Sequence, residues 1–194
     1  MIRFYFIRHG ETEWNVQSRF QGIEDIPLNE TGMRQAQECG RGLKQTDIPF
    51  DCIVSSPLER AFVTAQTIAG YLGITEIHKD PRLIERNFGK VSGRKREERE
   101  QMLASGQDLG MEEEEAVAQR MQQAMEALCD QGFRHIVLVS HGASIRALLG
   151  KYAEAGSKPT VEVQRNACLT VLAYNGGKFY LEAFDRTPDS LRYL

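Results

Sequence analysis

The sequence has no long apolar run and no excess of positive charge, and each absence excludes a class of function. No apolar run approaches the roughly 20 residues of a membrane-spanning helix, and the first residues are typical of a strand rather than of a signal peptide. Lys and Arg number 24 against 27 Asp and Glu, which gives a net charge of −3. Nucleic acids and anionic membrane surfaces require a basic footprint that this composition does not offer. We therefore expect a cytoplasmic protein whose partners include neither a nucleic acid nor a membrane.

The sequence also lacks paired cysteines, internal repeats and low-complexity linkers. Its four cysteines contain no C-x-x-C pair, and Cys52 and Cys168 lie within apolar, strand-like runs. Structural disulfides and a zinc site are therefore not expected, and the cysteines are interpreted as reduced thiols of the core. With 194 residues, 41% of them hydrophobic, the chain is long enough for one substantial core. We predict a single domain over residues 1–194.

Apolar strand-like runs alternate along the chain with segments of helical periodicity. Strands are predicted at residues 2–7, 50–55, 74–78 and 135–140, and helices at 32–44, 57–72, 115–130 and 143–149. Two more strands, at 164–173 and 178–184, flank the hairpin signal Asn175-Gly176-Gly177. This alternation predicts an α/β fold, a three-layer sandwich with a mainly parallel central sheet, helices on both faces and an antiparallel edge strand from the hairpin.

Three local features complete this prediction. Thr31 is predicted as the N-cap of the first helix, and Pro57 is predicted in the first turn of the second. Residues 16–31 have no sustained period and are interpreted as an ordered loop. Residues 90–115 carry mixed charges and few apolar side chains, so they are interpreted as solvated helical turns at one edge of the core, without a chemical role.

Arg8-His9-Gly10 follows the first strand and has the parts of an anion site. The carboxyl ends of strands in an α/β sheet border the crevice where such folds bind ligands. Arg8 offers a fork of donors for phosphate or carboxylate, and Gly10 allows close approach of the backbone. A cation beside His9 favours its neutral form, so one ring nitrogen would keep a lone pair for attack while the other donates to a backbone carbonyl. For this pair alone, ordinary surface residues after a strand are an equally good interpretation.

Three later residues are candidates for partners of His9. Arg60 lies in the first turn of the second helix, where it would add a mobile cation to the positive amino end of that helix. Without the other motifs, a surface arginine on an amphipathic helix would be the better interpretation. Glu85 stands beside Ile84 and near Phe88, surroundings that would desolvate its carboxyl group, raise its pKa and make it a proton donor. A lone Glu in a loop is more often a solvated charge. His141 ends the strand 135–140 in a second histidine-glycine pair before a helix.

Taken together and in this order, Arg8-His9-Gly10-Glu11-Thr12, the segment 55–61 around Arg60, Leu83-Ile84-Glu85 before Phe88-Gly89, and Ser140-His141-Gly142 form a specific set of motifs. The sequence resembles the histidine phosphatase superfamily, the phosphoglycerate mutase-like proteins. The resemblance extends from the first strand to the final hairpin, so it covers nearly the whole chain.

The resemblance implies a mechanism that these residues can support. His9 would attack phosphorus in line to give a phosphohistidine, which water would then hydrolyse. Arg8, Arg60 and His141, the last in its protonated form, would neutralise charge on the nonbridging oxygens. Glu85 would protonate the leaving alcohol and then take a proton from water. Asn15, Gln21 and Gly22 match positions that line the family's phosphate pocket, and neither a metal nor a cofactor is implied.

The sequence departs from the family pattern in two places, of which the first bears on the substrate and the second favours a phosphatase over a mutase. Val91-Ser92-Gly93 stands where the family usually has Trp-Glu-Gly, which changes the pocket wall beside Glu85. The segment between Glu85 and His141 is short beside that of the glycolytic mutases, so water would reach a phosphohistidine more easily. The features around Phe20-Gln21-Gly22 look like the small bacterial phosphatases, either α-ribazole phosphatase-like or of broad specificity.

The expected function is therefore a metal-independent phosphomonoesterase that acts on a small-molecule phosphate ester. A cofactor-dependent phosphoglycerate mutase is the first alternative. A noncatalytic module that binds a phosphorylated partner is the second, although such descendants usually lose the nucleophile or the acid, and both His9 and Glu85 are present here. A homodimer is compatible with the sequence, which does not reveal the oligomeric state.

Overall fold

The computed structural model describes residues 1–152, 164–188 and 190, and these form one layered α/β arrangement around a six-stranded sheet. The strands run in the order β3-β2-β4-β1-β5-β6. Their bounds are β1 Ile2–Arg8, β2 Cys52–Ser55, β3 Ile77–Lys79, β4 His135–Ser140, β5 Leu169–Asn175 and β6 Lys178–Arg186. The first four are mutually parallel, while β5 is antiparallel to β1 and β6 is antiparallel to β5. The predicted parallel sheet with a C-terminal hairpin is confirmed.

Side chains of successive strand residues point to opposite faces of the sheet and build two apolar cores. Phe4 and Phe6 of β1 join one core, and Tyr5 and Ile7 join the other. A strand that buries both faces is continuously apolar rather than alternating, which is why β1 and β4 were recognisable in the sequence.

Helices cover both faces of this sheet. Their bounds are α1 Glu13–Val16, α2 Glu30–Lys44, α3 Glu59–Leu72, α4 Arg96–Ala104, α5 Glu114–Cys129 and α6 Gly142–Gly150. The apolar sides of α2 and α3 pack on the core of Tyr5 and Ile7, and those of α5 and α6 on the core of Phe4 and Phe6. The predicted three-layer sandwich is therefore confirmed. The single domain over 1–194 stays a prediction.

Several element boundaries differ from those predicted. Asn29, not Thr31, caps α2, because its Oδ1 accepts the N–H of Gly32 at 2.8 Å. The second predicted helix, α3, begins at Glu59 rather than at Pro57, and the Asp25 carboxylate accepts the Glu59 N–H at 2.7 Å. A cap supplied by a residue 34 positions earlier leaves no local signal. The one-turn helix α1, capped by Thr12, is too short to show a helical period.

The charged segment 90–115 contains α4, which buries none of its residues, in agreement with the predicted solvated turns. Among the residues that the structure describes, no helix is long and apolar enough to cross a membrane. Cys52 and Cys168 are buried, as expected.

Candidate active site

His9 and His141 meet because the strands before them are parallel neighbours. Arg8 at the end of β1 is in register with Ser140 at the end of β4, and the His9 N–H donates to the Ser140 carbonyl at 3.0 Å. The two imidazole ring centroids lie 5.1 Å apart. The sequence analysis placed both histidines at strand ends. Because these strands are parallel neighbours, the two rings lie close together.

The His9 ring is fixed in orientation and held neutral. Its Nδ1 lies 2.7 Å from the Gly10 carbonyl oxygen, so Nδ1 carries the proton that is donated and Nε2 keeps the lone pair. Burial lowers the pKa of His9 well below its usual value, and the charges of Arg60 and Arg8 lower it further. The contact and the direction of the pKa are those expected for the predicted neutral tautomer, although burial contributes more than the adjacent arginine on which the prediction rested.

Gly10 must be a glycine at this turn. A Cβ atom on it would collide with the backbone carbonyl of Gly32 at the start of α2. The Gly10 N–H donates to Thr64 Oγ1 of α3 at 3.1 Å. The carbonyl that orients His9 is thus anchored between two helices.

His141 is fully buried, and Ser56 contacts it from the end of β2. His141 Nε2 lies 2.7 Å from Ser56 Oγ, while Nδ1 is buried without a hydrogen-bond partner in the described chain. Burial, then Arg60 and His9, lower the pKa of His141 well below its usual value. In the chain alone this favours the neutral form, because a second cation is unfavourable in a buried space that already holds arginines, and the protonated form expected with a phosphate bound stays a prediction. A neutral His141 can still donate one N–H to an anion.

Arg60 is a fixed internal cation rather than the mobile cation predicted at the amino end of the helix. It is 0% exposed, and its Nη1 and Nη2 donate to the carbonyls of Glu24 and Gly22 at 2.6 and 2.8 Å. Burial lowers the pKa of Arg60 to about 10, so it stays charged at neutral pH. Gly22 therefore contributes to the site through its carbonyl group, which accepts a hydrogen bond from Arg60.

Glu85 is held at the amino end of α6. Its Oε1 accepts the N–H and the hydroxyl of Ser144, both at 3.0 Å, and its Oε2 accepts the Ala143 N–H at 3.3 Å. The side chain is buried, as Ile84 and Phe88 suggested. The helix end that grips the carboxylate was not foreseen, since it comes from a segment 58 positions later.

A cleft of about 550 Å³ opens over these residues, a size suited to a small metabolite. Arg8, His9 and Glu85 line it, together with Asn15 and Gln21. Asn15 Oδ1 accepts from the Thr12 N–H at 3.1 Å, which leaves its Nδ2 without a partner among the described residues. Arg60, His141 and Gly22 lie behind this wall rather than on it, so only five of the eight predicted site residues face the cleft directly.

Comparison with known proteins decides the family. The sequence model described as histidine phosphatase superfamily (branch 1) matches residues 4–187, nearly the whole chain. The chain belongs to the histidine phosphatase superfamily.

Relatives of this histidine phosphatase are similar over their full lengths. The chain is 37% identical over 189 residues to the phosphatase PhoE of Bacillus subtilis, with 95% of each chain covered. It is 35% identical over 198 residues to a 2,3-bisphosphoglycerate-dependent phosphoglycerate mutase of Thermoplasma acidophilum, with 97% of this chain and 96% of that one covered. A solved structure of a phosphoserine phosphatase from Entamoeba histolytica, in complex with 3-phosphoglyceric acid, matches with a TM-score of 0.80 and 34% identity, covering 96% and 98% of the chains. The predicted family and the enzyme class, a phosphatase, are confirmed.

Sequence reasoning missed the rim of the cleft in this histidine phosphatase. The missed lining residues include five arginines: Arg19, Arg86, Arg96, Arg99 and Arg146. Arg96 and Arg99 lie in the segment 90–115, to which the sequence analysis assigned no chemistry, and the structure shows that both border the cleft. Their mixture with acidic residues concealed them, because a charge run on an exposed helix looks the same whether or not it borders a cleft.

Proposed function

We propose that this histidine phosphatase is a metal-independent phosphomonoesterase that acts through a phosphohistidine at His9. The observation that carries the proposal is the state of the His9 ring. Its Nδ1–H is committed to the Gly10 carbonyl at 2.7 Å, and burial holds the ring neutral. Nε2 therefore has a lone pair at neutral pH and lies beside Arg8 on the wall of the cleft.

In the first step, His9 Nε2 attacks phosphorus in line, the N–P bond forms and the P–O bond to the alcohol breaks. Glu85 gives its proton to the departing oxygen. In the second step, water attacks the phosphohistidine while Glu85 takes its proton, and the N–P bond breaks to return neutral His9 and inorganic phosphate. The hydrogen bonds from Ser144 and Ala143 fix the Glu85 carboxyl group for both transfers.

The positive charge for this chemistry comes from side chains. Arg8 lines the cleft and would contact the phosphoryl oxygens. Arg60 lies behind the wall, so it would act through its field on the same oxygens. Asn15 Nδ2, free of other partners among the described residues, would add a hydrogen bond. His141 lies behind the same wall, so we expect it, like Arg60, to act on these oxygens without lining the cleft. No metal is needed in this scheme.

The substrate we infer is a small phosphorylated metabolite, hydrolysed in the cytoplasm with the broad or α-ribazole phosphatase-like specificity of the small bacterial phosphatases. A phosphoglycerate mutase is the second candidate, because the Thermoplasma acidophilum mutase is 35% identical over nearly the whole chain. A mutase must shield its phosphohistidine from water. The chain between Glu85 and α5 forms α4, which buries none of its residues, and this supports the phosphatase.

A noncatalytic phosphate-binding module is the third candidate and has the weakest support. Such a module requires only cations, whereas His9 here has an oriented tautomer and Glu85 has an anchored carboxyl group. Binding alone would not require either arrangement.

Hydrolysis of a panel of phosphomonoesters in EDTA tests the proposal. Released phosphate and acid-labile phosphohistidine are measured for the wild type and for His9→Ala, with His78→Ala, an exposed histidine of β3, as the matched control. We expect turnover in EDTA, trapped phosphohistidine in the wild type and in His78→Ala, and neither in His9→Ala. Activity that survives in His9→Ala or disappears in EDTA would refute the mechanism. Isomerisation of a phosphoglycerate without release of phosphate would instead identify a mutase.

A further inference from the structure

The backbone around Glu85 is irregular, although the proposed role of this residue demands a precise position. A proton donor must come within roughly 2.6 to 3.2 Å of the oxygen that it protonates. In the described chain, residues 84–88, which include Glu85, belong to no helix or strand. The backbone that carries the acid therefore depends on support from other parts of the fold.

Arg120 of α5 supports this backbone on the side that precedes Glu85. Its Nη1 donates to the carbonyls of Arg82 and Ile84, both at 2.7 Å, and its Nη2 donates to the Glu85 carbonyl at 3.2 Å. A guanidinium group is a planar fork of five donors, so one side chain can hold three carbonyls in a fixed arrangement. A lysine ammonium, a single point on a flexible stem, cannot reproduce this fork.

Glu112, in the segment before α5, holds Arg120 and also supports the side that follows Glu85. Its Oε1 accepts Nε of Arg120 at 2.8 Å, and its Oε2 accepts Nη2 at 3.1 Å. The same Oε2 accepts the Asn87 N–H at 3.1 Å, and the Glu112 N–H donates to the Asn87 carbonyl at 2.8 Å. The pair therefore contacts the backbone on both sides of the acid.

This ion pair is set back from the cleft and largely withdrawn from solvent. The side chains of Arg120 and Glu112 are 17% and 24% exposed, and neither residue lines the cleft. Each charge compensates the other, so the guanidinium group can lie against the backbone of Glu85 without being left as an unpaired, partly buried charge. An effect of either residue on the reaction must therefore be indirect.

The carboxyl group of Glu85 is held by a different helix from the one that holds its backbone. Ala143 and Ser144, at the amino end of α6, donate to the carboxylate, whereas Arg120 of α5 donates to the main chain. The first N–H groups of a helix have no partner within that helix, so these two amides depend on Glu85 staying within reach. A misplacement of about 1 Å can lower a reaction rate by about 10²-fold.

We propose that Glu112 and Arg120 position Glu85 for proton transfer, by fixing the backbone of residues 82–87 so that the carboxyl group is held at the amino end of α6. This rests on the proposed phosphatase function, in which Glu85 is the proton donor. Both are positioning residues, since neither contacts the ester. Their loss slows the reaction only as far as the reaction needs a proton from Glu85.

Two esters with different leaving groups test the proposal. An alkyl phosphate that the wild type hydrolyses needs a proton on its leaving oxygen, whereas p-nitrophenyl phosphate does not. We measure kcat/KM, because it covers the steps up to phosphorylation of His9 and leaves out the attack of water. Arg120→Met should lower kcat/KM roughly 10- to 100-fold for the alkyl ester but less than about threefold for p-nitrophenyl phosphate. A merely structural role would lower both by the same factor.

A double-mutant cycle identifies the residue through which the pair acts. In a Glu85→Gln chain, Arg120→Met should change kcat/KM for the alkyl ester by less than about twofold. Glu112→Gln and Arg120→Lys are milder changes that should show the same dependence on the leaving group with smaller losses, and they serve if Arg120→Met does not fold. Arg3→Met is the matched control, because Arg3 donates two hydrogen bonds to Glu182 at the other end of β1, and it should leave both esters unchanged.

Hydrogen exchange measured by NMR gives a readout that needs no turnover. The amides of Ala143 and Ser144 should exchange roughly 10-fold faster or more in Arg120→Met, as they should in Glu85→Ala, because their acceptor has moved away. The amide of Val137, in the centre of β4, should keep its wild-type rate, which shows that the fold is intact.

These readouts separate the two proposals. Unchanged exchange at Ala143 and Ser144, equal losses for the two esters, or a full further loss in the Glu85→Gln chain would each overturn the positioning role. If Glu85→Gln itself lowers both esters equally, Glu85 is not the proton donor, and faster exchange in Arg120→Met would still support the positioning of its carboxyl group.

Discussion

Acidification should destabilise the protein through its two buried histidines, His9 and His141. Burial lowers the pKa of each well below the usual 6.5 in the folded chain. In the unfolded chain both recover ordinary values, so between pH 6.5 and the folded pKa the unfolded state binds protons that the native state does not. Stability is therefore lost as pH falls below 6.5, and above it these groups contribute no pH dependence.

The magnitude follows from the number of groups. Between pH 7 and pH 5, a histidine that stays neutral only in the folded state lowers the free energy of unfolding by about 2 kcal/mol, and the pair lowers it by about 4 kcal/mol. The total stability of a domain is commonly about 5 to 15 kcal/mol, so this loss is large. His135, whose pKa burial also lowers, adds in the same direction.

Urea denaturation at pH 5 and pH 7, in buffers free of phosphate, measures the effect. His9→Asn keeps a donor near the position of Nδ1 for the Gly10 carbonyl, and His141→Gln keeps a polar group near Ser56 Oγ. Each substitution should reduce the acid loss by about 2 kcal/mol, and the double variant by about 4 kcal/mol. His78→Gln, an exposed position on β3, is the control and should leave the loss unchanged.

An acid loss in the double variant equal to that of the wild type would refute the reasoning. It would mean that the folded protein admits protons to these rings, and hence that burial does not hold His9 neutral. A loss that His78→Gln reduces by the same amount would have the same consequence.

Three further predictions concern single side chains. Glu85→Gln should lower kcat for an alkyl phosphate by roughly 10²- to 10⁴-fold but far less for p-nitrophenyl phosphate, whose phenolate leaves without a proton; equal losses would contradict the role of proton donor. Ser56→Ala removes the hydroxyl 2.7 Å from His141 Nε2 and should lower kcat by roughly 2- to 10-fold. It should have no further effect in His141→Ala, and additive losses would show that Ser56 acts independently. Asp25→Ala removes the cap on the Glu59 N–H and should destabilise the fold by about 1 kcal/mol in urea denaturation, whereas Asp25→Asn should retain most of the stability.

The framework of the site could be predicted because it is local in sequence. A buried parallel strand is a continuous apolar run, and the residue after it stands at the sheet's carboxyl edge. The runs before His9 and His141 therefore placed both histidines at that edge, and the register Arg8 to Ser140 makes them neighbours. A glycine follows each histidine in the sequence, which indicated that the chain turns there.

What could not be predicted depends on residues distant in the chain. Ser56 contacts His141 across 85 positions, and α6 donates to Glu85 across 58 and 59. Hydrogen bonds of this kind leave no periodicity, because they depend on how completed elements pack. The arginines of α4 border the cleft next to two backbone hydrogen bonds that join Phe20 to Gly93 and Arg94, segments more than 70 positions apart.

Arg60 shows why the location of a charge matters as much as its sign. A mobile arginine on the surface could bind a phosphate, but water and salt would screen its effect on the histidines. Because Arg60 is fully buried and held by the carbonyls of Gly22 and Glu24, its charge lowers the pKa of both His9 and His141. The same side chain therefore favours an incoming phosphate and keeps the nucleophile unprotonated. A cation on the surface, whose field is screened by solvent and salt, would have a weaker effect on both.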